Sequence, residues 1–258
     1  MTTLITGASA GLGEGFARAL AATGEDLILT ARRVDRLETL AADLRAKHGV
    51  RVDLFPADLM QADAPATLLA AIADAGLTVD QLVNNAGFGA QGAFADGDAA
   101  GQLGMIDLNC RALVALTHGV LPQMIARRSG GILNVASTAA FQPGPWLAVY
   151  YASKAFVLSF SEAIHEEVKP QGVRVAALCP GPTRTEFAAV AGLGEGALFK
   201  TFASEADAVV RDGLAALAGN QAVRISGAAN LLMAQSIRLT PRFLARRLAG
   251  ALQKTRGN

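Results

Sequence analysis

Three residues of this chain have the types and the spacing needed for proton transfer at a polarised oxygen: Ser137, Tyr150 and Lys154. Tyr150 and Lys154 are four residues apart at the start of a predicted helix, so their side chains share one face. A free tyrosine has a pKa of about 10, and a neighbouring ammonium group should favour its phenolate form. Ser137 ends a predicted strand, at the edge where open α/β sheets bind ligands. We expect the adjacent Tyr151 to point elsewhere on the helix.

A glycine-rich turn follows the first predicted strand and leads directly into the first predicted helix: Thr6-Gly7-Ala8-Ser9-Ala10-Gly11-Leu12-Gly13. Backbone amides in such a turn can approach a pyrophosphate, and the helix amino terminus adds partial positive charge. The glycine spacing differs from the GxGxxG form but relies on the same physics. A similar turn could simply connect a strand to a helix. Its position after the first strand favours a dinucleotide site, with contacts expected from Gly7, Ser9, Gly11, Leu12 and Gly13.

The second predicted strand ends in Ala31-Arg32-Arg33, at the place where an NAD-binding fold carries an acidic residue for the ribose. No acidic residue occurs from Leu27 to Arg33. Guanidinium groups bind phosphate through paired hydrogen bonds, whereas a carboxylate would repel it. The alternative is that both arginines are ordinary solvated residues at the start of a helix. We predict that the chain binds NADP(H) in preference to NAD(H), with Arg32 the stronger candidate of the two.

Short apolar runs alternate with helical periodicity over the first two-thirds of the chain, a pattern typical of βαβ units. Strands are predicted at 2–6, 27–29, 50–54, 82–83, 132–135 and 173–176, with long helices near 101–127 and 151–169. This order indicates an α/β fold with a doubly wound, mostly parallel Rossmann-type sheet of six or seven strands and helices on both faces. We expect a single domain spanning 1–258, because 258 residues are close to the upper size of one hydrophobic core.

The composition argues against several other classes of protein. Apolar residues make up 52% and charged residues 17%, which suits a sheet buried on both faces and excludes a disordered chain. A net charge of +1 without an arginine-rich run argues against nucleic acid as a partner. The two cysteines and three histidines lack metal-ligand spacing, so we expect reduced thiols, no metal and a cytoplasmic location. We find no signal peptide, and the uncharged stretch 129–153 has too many glycines and prolines for a membrane span.

The carboxy-terminal third has a looser pattern. The substrate-loop region at about 186–203 and the loop with Phe141 and Trp146 could cover a substrate site, or could pack the core or an interface; the apolar residues of 186–203 are Phe187, Leu193, Leu198, Phe199 and Phe202. The last 46 residues, 213–258, contain seven arginines and lysines and no acid. The basic segment at about 224–258 could be a solvated face, a subunit contact or a weak contact with an acidic membrane surface. Of the last two we favour the subunit contact.

Taken in order, these motifs resemble the short-chain dehydrogenase/reductase family, in its branch of single domains of about this length. The resemblance covers nearly the whole chain and is carried by Thr6-Gly7 through Gly13, Asp58-Leu59, Asn84-Asn85-Ala86-Gly87, Asn109, Ser137, Tyr150 with Lys154, and Pro180-Gly181 followed by Thr183 and Thr185. The phrase from Thr30 to Leu37 is similar to a bacterial subgroup that includes relatives of hydroxysteroid dehydrogenases. Ala136 stands where many members have a second serine. The segment 224–258 does not resemble the short glycine-rich ending of acyl-carrier-protein ketoreductases.

The resemblance implies a role for each matching residue. Tyr150 is the acid/base, Ser137 binds the substrate oxygen, and Lys154 holds the ribose and tunes Tyr150. Asn109 supports a water relay. Cofactor contacts are implied for Asp58 near the adenine and Leu59, for Asn85, Ala86 and Gly87, and for Pro180, Gly181, Thr183 and Thr185, the two threonines lying by the nicotinamide amide. A homodimer or homotetramer is usual in the family.

The predicted function is hydride transfer between NADP(H) and a ketone or aldehyde, or the matching secondary alcohol, on a small and apolar molecule. An enoyl reductase is expected to have its lysine after six intervening residues, but the residue at that distance from Tyr150 is Val157. A non-enzymatic dinucleotide-binding sensor would be expected to lack the tyrosine or the lysine. That sensor and an acyl-thioester ketoreductase are kept as the alternatives.

Overall fold

The chain is built around one parallel β-sheet, seen in a computed structural model that describes residues 1–184, 186 and 204–254. Its seven strands, in the order β3-β2-β1-β4-β5-β6-β7, are β1 (Thr2–Thr6), β2 (Asp26–Thr30), β3 (Val52–Leu54), β4 (Gln81–Asn84), β5 (Gly130–Val135), β6 (Val173–Cys179) and β7 (Val223–Ile225). All six neighbouring pairs are parallel. The predicted α/β fold of Rossmann type is therefore confirmed. The sequence missed β7, because it has three residues and its central Arg224 is exposed.

Helices cover both faces of the sheet: α1 (Gly11–Ala22), α2 (Val34–His48), α3 (Ala64–Asp74), α4 (Ala99–Ile106), α5 (Leu113–Ala126), α6 (Ala148–Val168), α7 (Ala206–Ala218), α8 (Ala228–Leu239) and α9 (Arg242–Lys254). Successive strand side chains point to opposite faces, so Ile5 packs towards α1, α2 and α7, whereas Leu4 packs towards α3 and α5. The long helix predicted near 101–127 consists of α4, a π-helical stretch at Asp107–Ala112, and α5. The helix predicted from 151 begins earlier, at Ala148.

The strand order reverses between β1 and β4, and this reversal determines where a site can form. The chain runs outward from β1 through β2 to β3, then crosses back to place β4 on the other side of β1. Connections that leave in opposite directions open a crevice at the carboxyl ends of these two strands. Thr6 and Asn84 end β1 and β4, and Val135 ends the next strand, so the predicted motifs that follow all three strands face one edge.

Below this edge, a chain of buried polar side chains links β4 and β5 to the helices behind them. Asn84 Nδ2 donates to Thr117 Oγ1 at 3.1 Å and to Asn134 Oδ1 at 2.9 Å. Asn134 Nδ2 donates to Ser161 Oγ at 2.9 Å, and this hydroxyl donates to the carbonyl of Val157. Because hydrogen bonds in a water-free interior are strong and unpaired groups there are costly, this network holds α5 and α6 in register with the sheet.

The carboxy-terminal helix α9 packs on its own chain. Ala245 and Ala249, one turn apart, are buried, and Gly250 lies against Pro145. The outward side of α9 exposes Leu244 and Leu248. The predicted contact of this segment with a subunit or an acidic membrane surface stays a prediction. None of the described helices is long and apolar enough to cross a membrane. Of the predicted substrate-loop region at about 186–203, the structure describes Glu186, and the apolar residues of this region lie outside the described residues. A cover formed by the loop with Phe141 and Trp146 stays a prediction.

Replacement of Asn134 tests the buried polar network. Asn134→Ala removes one buried hydrogen bond from Asn84 Nδ2 and one from Ser161 Oγ, which keep only their bonds to Thr117 and Val157, so we expect the free energy of unfolding to fall by about 2–3 kcal/mol. Chemical denaturation of the variant and the wild type measures this. Thr39→Ala, which removes one exposed hydroxyl, is the control and should change stability by less than about 0.5 kcal/mol. Equal stability of the two variants would contradict the proposed importance of the network.

Candidate active site

A cavity of about 470 Å³ occupies the crevice at the carboxyl edge of the sheet. It brings together most of the predicted site residues, namely Gly7, Ser9, Gly11, Leu12, Arg32, Arg33, Asp58, Leu59, Asn85, Ala86, Gly87, Ser137, Tyr150, Lys154, Pro180, Gly181 and Thr183. Gly13 and Asn109 do not line it, and Thr185 lies outside the described residues. Among the described residues, no three His, Cys, Asp or Glu side chains are grouped so that they could hold a metal ion.

The glycine turn leaves its backbone open towards the cavity. Gly7 has φ +65°, a left-handed conformation, and a Cβ atom there would lie 2.9 Å from Ala86 Cα. The N-cap of α1 is Ala10, whose side chain makes no capping hydrogen bond to the amides of the first turn. These amides are therefore available to an anion, and the helix dipole favours negative charge there. The turn fits the pyrophosphate of a dinucleotide.

Gly13 has a packing role instead of a place on the cavity wall. A Cβ atom on Gly13 would lie 2.2 Å from the Gly7 carbonyl oxygen and 2.6 Å from Asn85 Nδ2. Asn85 in turn donates from Nδ2 to the carbonyl of Thr6 at 2.9 Å and to that of Gly7 at 3.3 Å. The absence of a side chain at Gly13 thus allows α1 to pack against the turn. The predicted contact of Gly13 with a cofactor stays a prediction.

The two arginines after β2 lie at the mouth of the cavity in different environments. Arg33 donates from Nε and Nη2 to Ser9 Oγ, both at 3.2 Å, and its Nη1 pairs with Glu186 at 3.1 Å. Arg36 pairs with the other carboxylate oxygen at 2.6 Å. The hydrogen bonds from Arg36 and Arg33 hold the pKa of Glu186 below its usual value. Arg32, in contrast, has no acidic partner among the described residues, and its Nη1 donates to Met60 Sδ at 4.0 Å.

Ser137, Tyr150 and Lys154 converge on the inner wall. The Ser137 hydroxyl lies near Tyr150 and acts on its pKa, while Ser137 Oγ donates to the carbonyl of Pro180 at 3.4 Å and accepts from the amide of Ala139 at 3.1 Å. Lys154 Nζ donates to the carbonyl of Val135 at 2.8 Å and lies 5.9 Å from the centre of the Tyr150 ring. The side chains of all three residues are buried. The structure therefore places a proton donor beside a second hydroxyl that can hold the same oxygen.

Burial dominates the protonation of this group. It raises the pKa of Tyr150 to about 12, although the hydrogen bond from Ser137 acts in the opposite sense. Burial also lowers the pKa of Lys154 to about 8. This direction for Tyr150 is opposite to the one predicted from its spacing to Lys154, because loss of hydration on burial disfavours the charged phenolate. At neutral pH the phenol is protonated and can act as an acid.

Asn109 supports the site from behind. It lies in the π-helical stretch between α4 and α5 and is buried. Its Nδ2 donates to the carbonyl of Phe88 and to Ser153 Oγ, both at 3.0 Å, and its Oδ1 accepts from the amide of Phe88 at 3.1 Å. Phe88 lines the cavity, so Asn109 positions a cavity wall without being part of it. A water relay through Asn109 is left as a prediction.

Tyr151 is placed differently from its prediction, since it lines the cavity beside Tyr150. The two rings are edge to face, with centroids 6.1 Å apart and planes at 77°. The cavity wraps around the first turn of α6, so two adjacent helix positions reach it. Gln253 was not predicted as a lining residue, and Glu186 was included only as the first residue of the predicted substrate-loop region; the other unpredicted lining residues are Ala10, Ala31, Ala57, Phe88, Leu108, Val135, Ala136, Thr138, Ala139, Leu147 and Pro182. Most of these flank a predicted motif, which is the signal that could have found them.

Comparison with known proteins gives the family to which this fold and site belong. Residues 1–195 match the short chain dehydrogenase family, so the chain belongs to it. A relative named very-long-chain 3-oxoacyl-CoA reductase, from Phaeosphaeria nodorum, is 40% identical over 177 residues, which are 67% of this chain. The chain spans only about half of that relative, 52% of its length.

Two solved structures share the fold over almost the whole chain. A short-chain dehydrogenase from Sphingobium yanoikuyae in complex with NADPH is 34% identical, covers 92% of this chain and 93% of its own, and gives a TM-score of 0.82. A 7β-hydroxysteroid dehydrogenase structure is 26% identical, covers 96% of each chain and gives a TM-score of 0.87. The predicted relation to hydroxysteroid dehydrogenases within the family is thereby confirmed.

The lowered pKa of Lys154 predicts a pH dependence of stability. Between the folded value of about 8 and the usual 10.5, the unfolded chain binds more protons at this residue, so folding becomes more favourable as the pH rises. Relative to Lys154→Met, the wild type should therefore gain about 2 kcal/mol in the free energy of unfolding between pH 7 and 9.5. Denaturation at several pH values measures the difference. Lys169→Met, at an exposed lysine, should give a flat difference, and a flat difference for Lys154→Met would contradict the burial effect.

Proposed function

We propose that this chain is an NADP(H)-dependent oxidoreductase that interconverts a ketone or aldehyde and the matching alcohol. The observation that carries the proposal is the pair of Ser137 and Tyr150, both buried in the same cavity as the glycine turn and Arg32. The family is one of oxidoreductases, and this pair supplies the groups that carbonyl chemistry needs. The substrate is proposed to be a small apolar molecule, since Phe88, Ala139 and Leu147 form part of the cavity wall.

In the proposed mechanism, the bound nicotinamide supplies or accepts the hydride. Ser137 holds the substrate oxygen through its hydroxyl, and Tyr150 donates a proton to that oxygen during reduction. A phenol with a pKa of about 12 is fully protonated at neutral pH, so it is ready for this step. Lys154 binds the ribose and tunes the pKa of Tyr150. For oxidation Tyr150 first releases its proton to solvent through the water relay that Asn109 serves, and the resulting phenolate then accepts the proton of the alcohol.

The preference for NADP(H) rests on the charge around Arg32. Its guanidinium group lies at the cavity mouth with no acidic partner among the described residues, so it can pair with a 2′-phosphate. The NADPH complex of the Sphingobium yanoikuyae relative, with 34% identity, also supports the proposal. Asp58 and Leu59 also line the cavity and are assigned to the adenosine.

A cytoplasmic homo-oligomer is the proposed setting of the enzyme. Both cysteines are free thiols, as expected in a reducing compartment. Leu103 and Ile106 on α4 and Phe156 on α6 expose large apolar side chains that a second copy could cover, so we propose a homodimer or homotetramer. A second candidate activity, reduction of a 3-oxoacyl thioester, is favoured by the name of the Phaeosphaeria nodorum relative. A panel of ketones, aldehydes and 3-oxoacyl thioesters, followed by NADPH consumption, separates the candidates.

Tyr150→Phe tests the proton donor. The variant lacks only the phenolic hydroxyl, so we expect NADPH affinity within about twofold of the wild type and turnover reduced by about 10²- to 10⁴-fold. Fluorescence titration of NADPH and initial rates on the best substrate of the panel measure the two quantities. Ser159→Ala, at an exposed position on the same helix, should leave both unchanged. Turnover above a tenth of the wild-type value in Tyr150→Phe would rule out this assignment.

Arg32→Ala and Ala31→Asp test the choice of cofactor. Loss of one charge-assisted hydrogen bond, worth about 1.5–3 kcal/mol, should weaken NADPH binding roughly ten- to a hundredfold and leave NADH almost unaffected. Ala31→Asp should improve NADH binding and repel the 2′-phosphate, and the double variant should reverse the preference. Catalytic efficiency with each cofactor is the measurement, with Arg238→Ala, outside the cavity, as the control. A wild type that prefers NADH, or an equal loss for both cofactors in Arg32→Ala, would overturn the assignment.

A further inference from the structure

The carboxy-terminal helix α9 brings a polar side chain into the cavity that contains Ser137 and Tyr150. Gln253, near the end of α9, lines the cavity, and its Nε2 donates to the hydroxyl of Tyr151 at 3.0 Å. These two residues are 102 positions apart in the sequence. Neither residue has a role in the proton transfer described above. Together they form a polar pair in a wall that is otherwise apolar around Ala139 and Leu147.

Packing holds both members of the pair in place. A Cβ atom on Gly144 would lie 2.3 Å from the ring of Tyr151, so the ring lies directly on a residue that has no side chain. On its other side, the ring contacts that of Tyr150 edge to face. Gln253 is positioned by α9, whose buried Ala245 and Ala249 and whose Gly250, next to Pro145, fix the helix against the cavity wall.

The amide of Gln253 has unused hydrogen-bonding capacity. Its Oε1 atom is shielded from solvent and has no hydrogen-bond partner in the described part of the chain. If the amide were turned by half a rotation, Oε1 would accept from the Tyr151 hydroxyl and the NH₂ end would be the one without a partner. Buried polar groups are nearly always hydrogen-bonded, so one end of this amide is open to a partner beyond the described residues, such as a bound ligand. A hydroxyl group both donates and accepts, and it satisfies either orientation.

We propose that Tyr151 and Gln253 form a second polar subsite, which binds a hydroxyl group carried by an otherwise apolar carbonyl substrate. The inference rests on the proposed function, because the carbonyl of the same molecule is taken to bind at Ser137 and Tyr150. The centroids of the two tyrosine rings are 6.1 Å apart, so the substrate hydroxyl is several bonds away from the reacting carbon. The substrate class is therefore a hydroxyketone, or a diol in the oxidation direction, and the subsite selects it through binding.

The experiment compares a series of 2-alkanones with the ω-hydroxy-2-alkanones of equal chain length, using NADPH and the full chain. For the wild type we expect one chain length at which the hydroxyl lowers KM about three- to tenfold with kcat nearly unchanged, as for one or two additional hydrogen bonds. Gln253→Leu and Tyr151→Phe should abolish this advantage while keeping the KM for the plain ketones within about twofold. Arg246→Ala, exposed on α9, is the matched control and should retain the advantage.

Three outcomes overturn the subsite. In the first, the hydroxyl gives the wild type no advantage at any chain length. In the second, the advantage persists in Gln253→Leu. In the third, Gln253→Leu lowers kcat/KM equally for both series, as expected if the substitution only loosened the packing of α9. In all three, continued NADPH-dependent reduction of plain ketones leaves the proposed function standing. Failure of the wild type to reduce any ketone or aldehyde would instead contradict the proposed function itself.

Discussion

The turn after β1 lies so close to the segment after β4 that Gly7 has no room for a side chain at the point of contact. A methyl group on Gly7 would lie 2.9 Å from Ala86 Cα, and one on Gly13 would lie 2.2 Å from the Gly7 carbonyl oxygen. Asn85 connects the two segments by donating to the carbonyls of Thr6 and Gly7. This contact aims the amino terminus of α1 at the crevice, and the cavity depends on it because a displaced α1 would remove both the anion site and its outer wall.

Burial shifts the pKa values of Tyr150 and Lys154 in opposite directions. The same desolvation raises the pKa of Tyr150 and lowers that of Lys154, so each group favours its neutral form more than it would in water. Polar contacts keep this arrangement stable: Lys154 donates to the carbonyl of Val135, and the chain of Asn84, Asn134 and Ser161 joins the strands beneath to α6. Hydrogen bonds between the strands and α6 therefore hold the proton donor Tyr150 in place.

The family match covers only part of the cavity wall. The match to the family ends at residue 195, so it includes the glycine turn, Ser137 and Tyr150 but not α8 or α9. Helix α9 nevertheless supplies Gln253 to the cavity. This part of the cavity wall therefore lies beyond the family match, although the 7β-hydroxysteroid dehydrogenase structure covers 96% of this chain.

The sequence by itself determined the parallel α/β fold, six of the seven strands and most of the cavity lining, because alternating apolar runs and glycine turns are local patterns that also mark the strand ends. It could not determine contacts between distant segments. Glu186 reaches Arg33 across 153 positions and Gln253 reaches Tyr151 across 102, and neither pairing has a local pattern. The tertiary structure also decided that Asn109 and Gly13 lie behind the cavity wall. The direction of the Tyr150 pKa shift was decided in the same way, since desolvation depends on everything packed around a group and not on its spacing from one lysine.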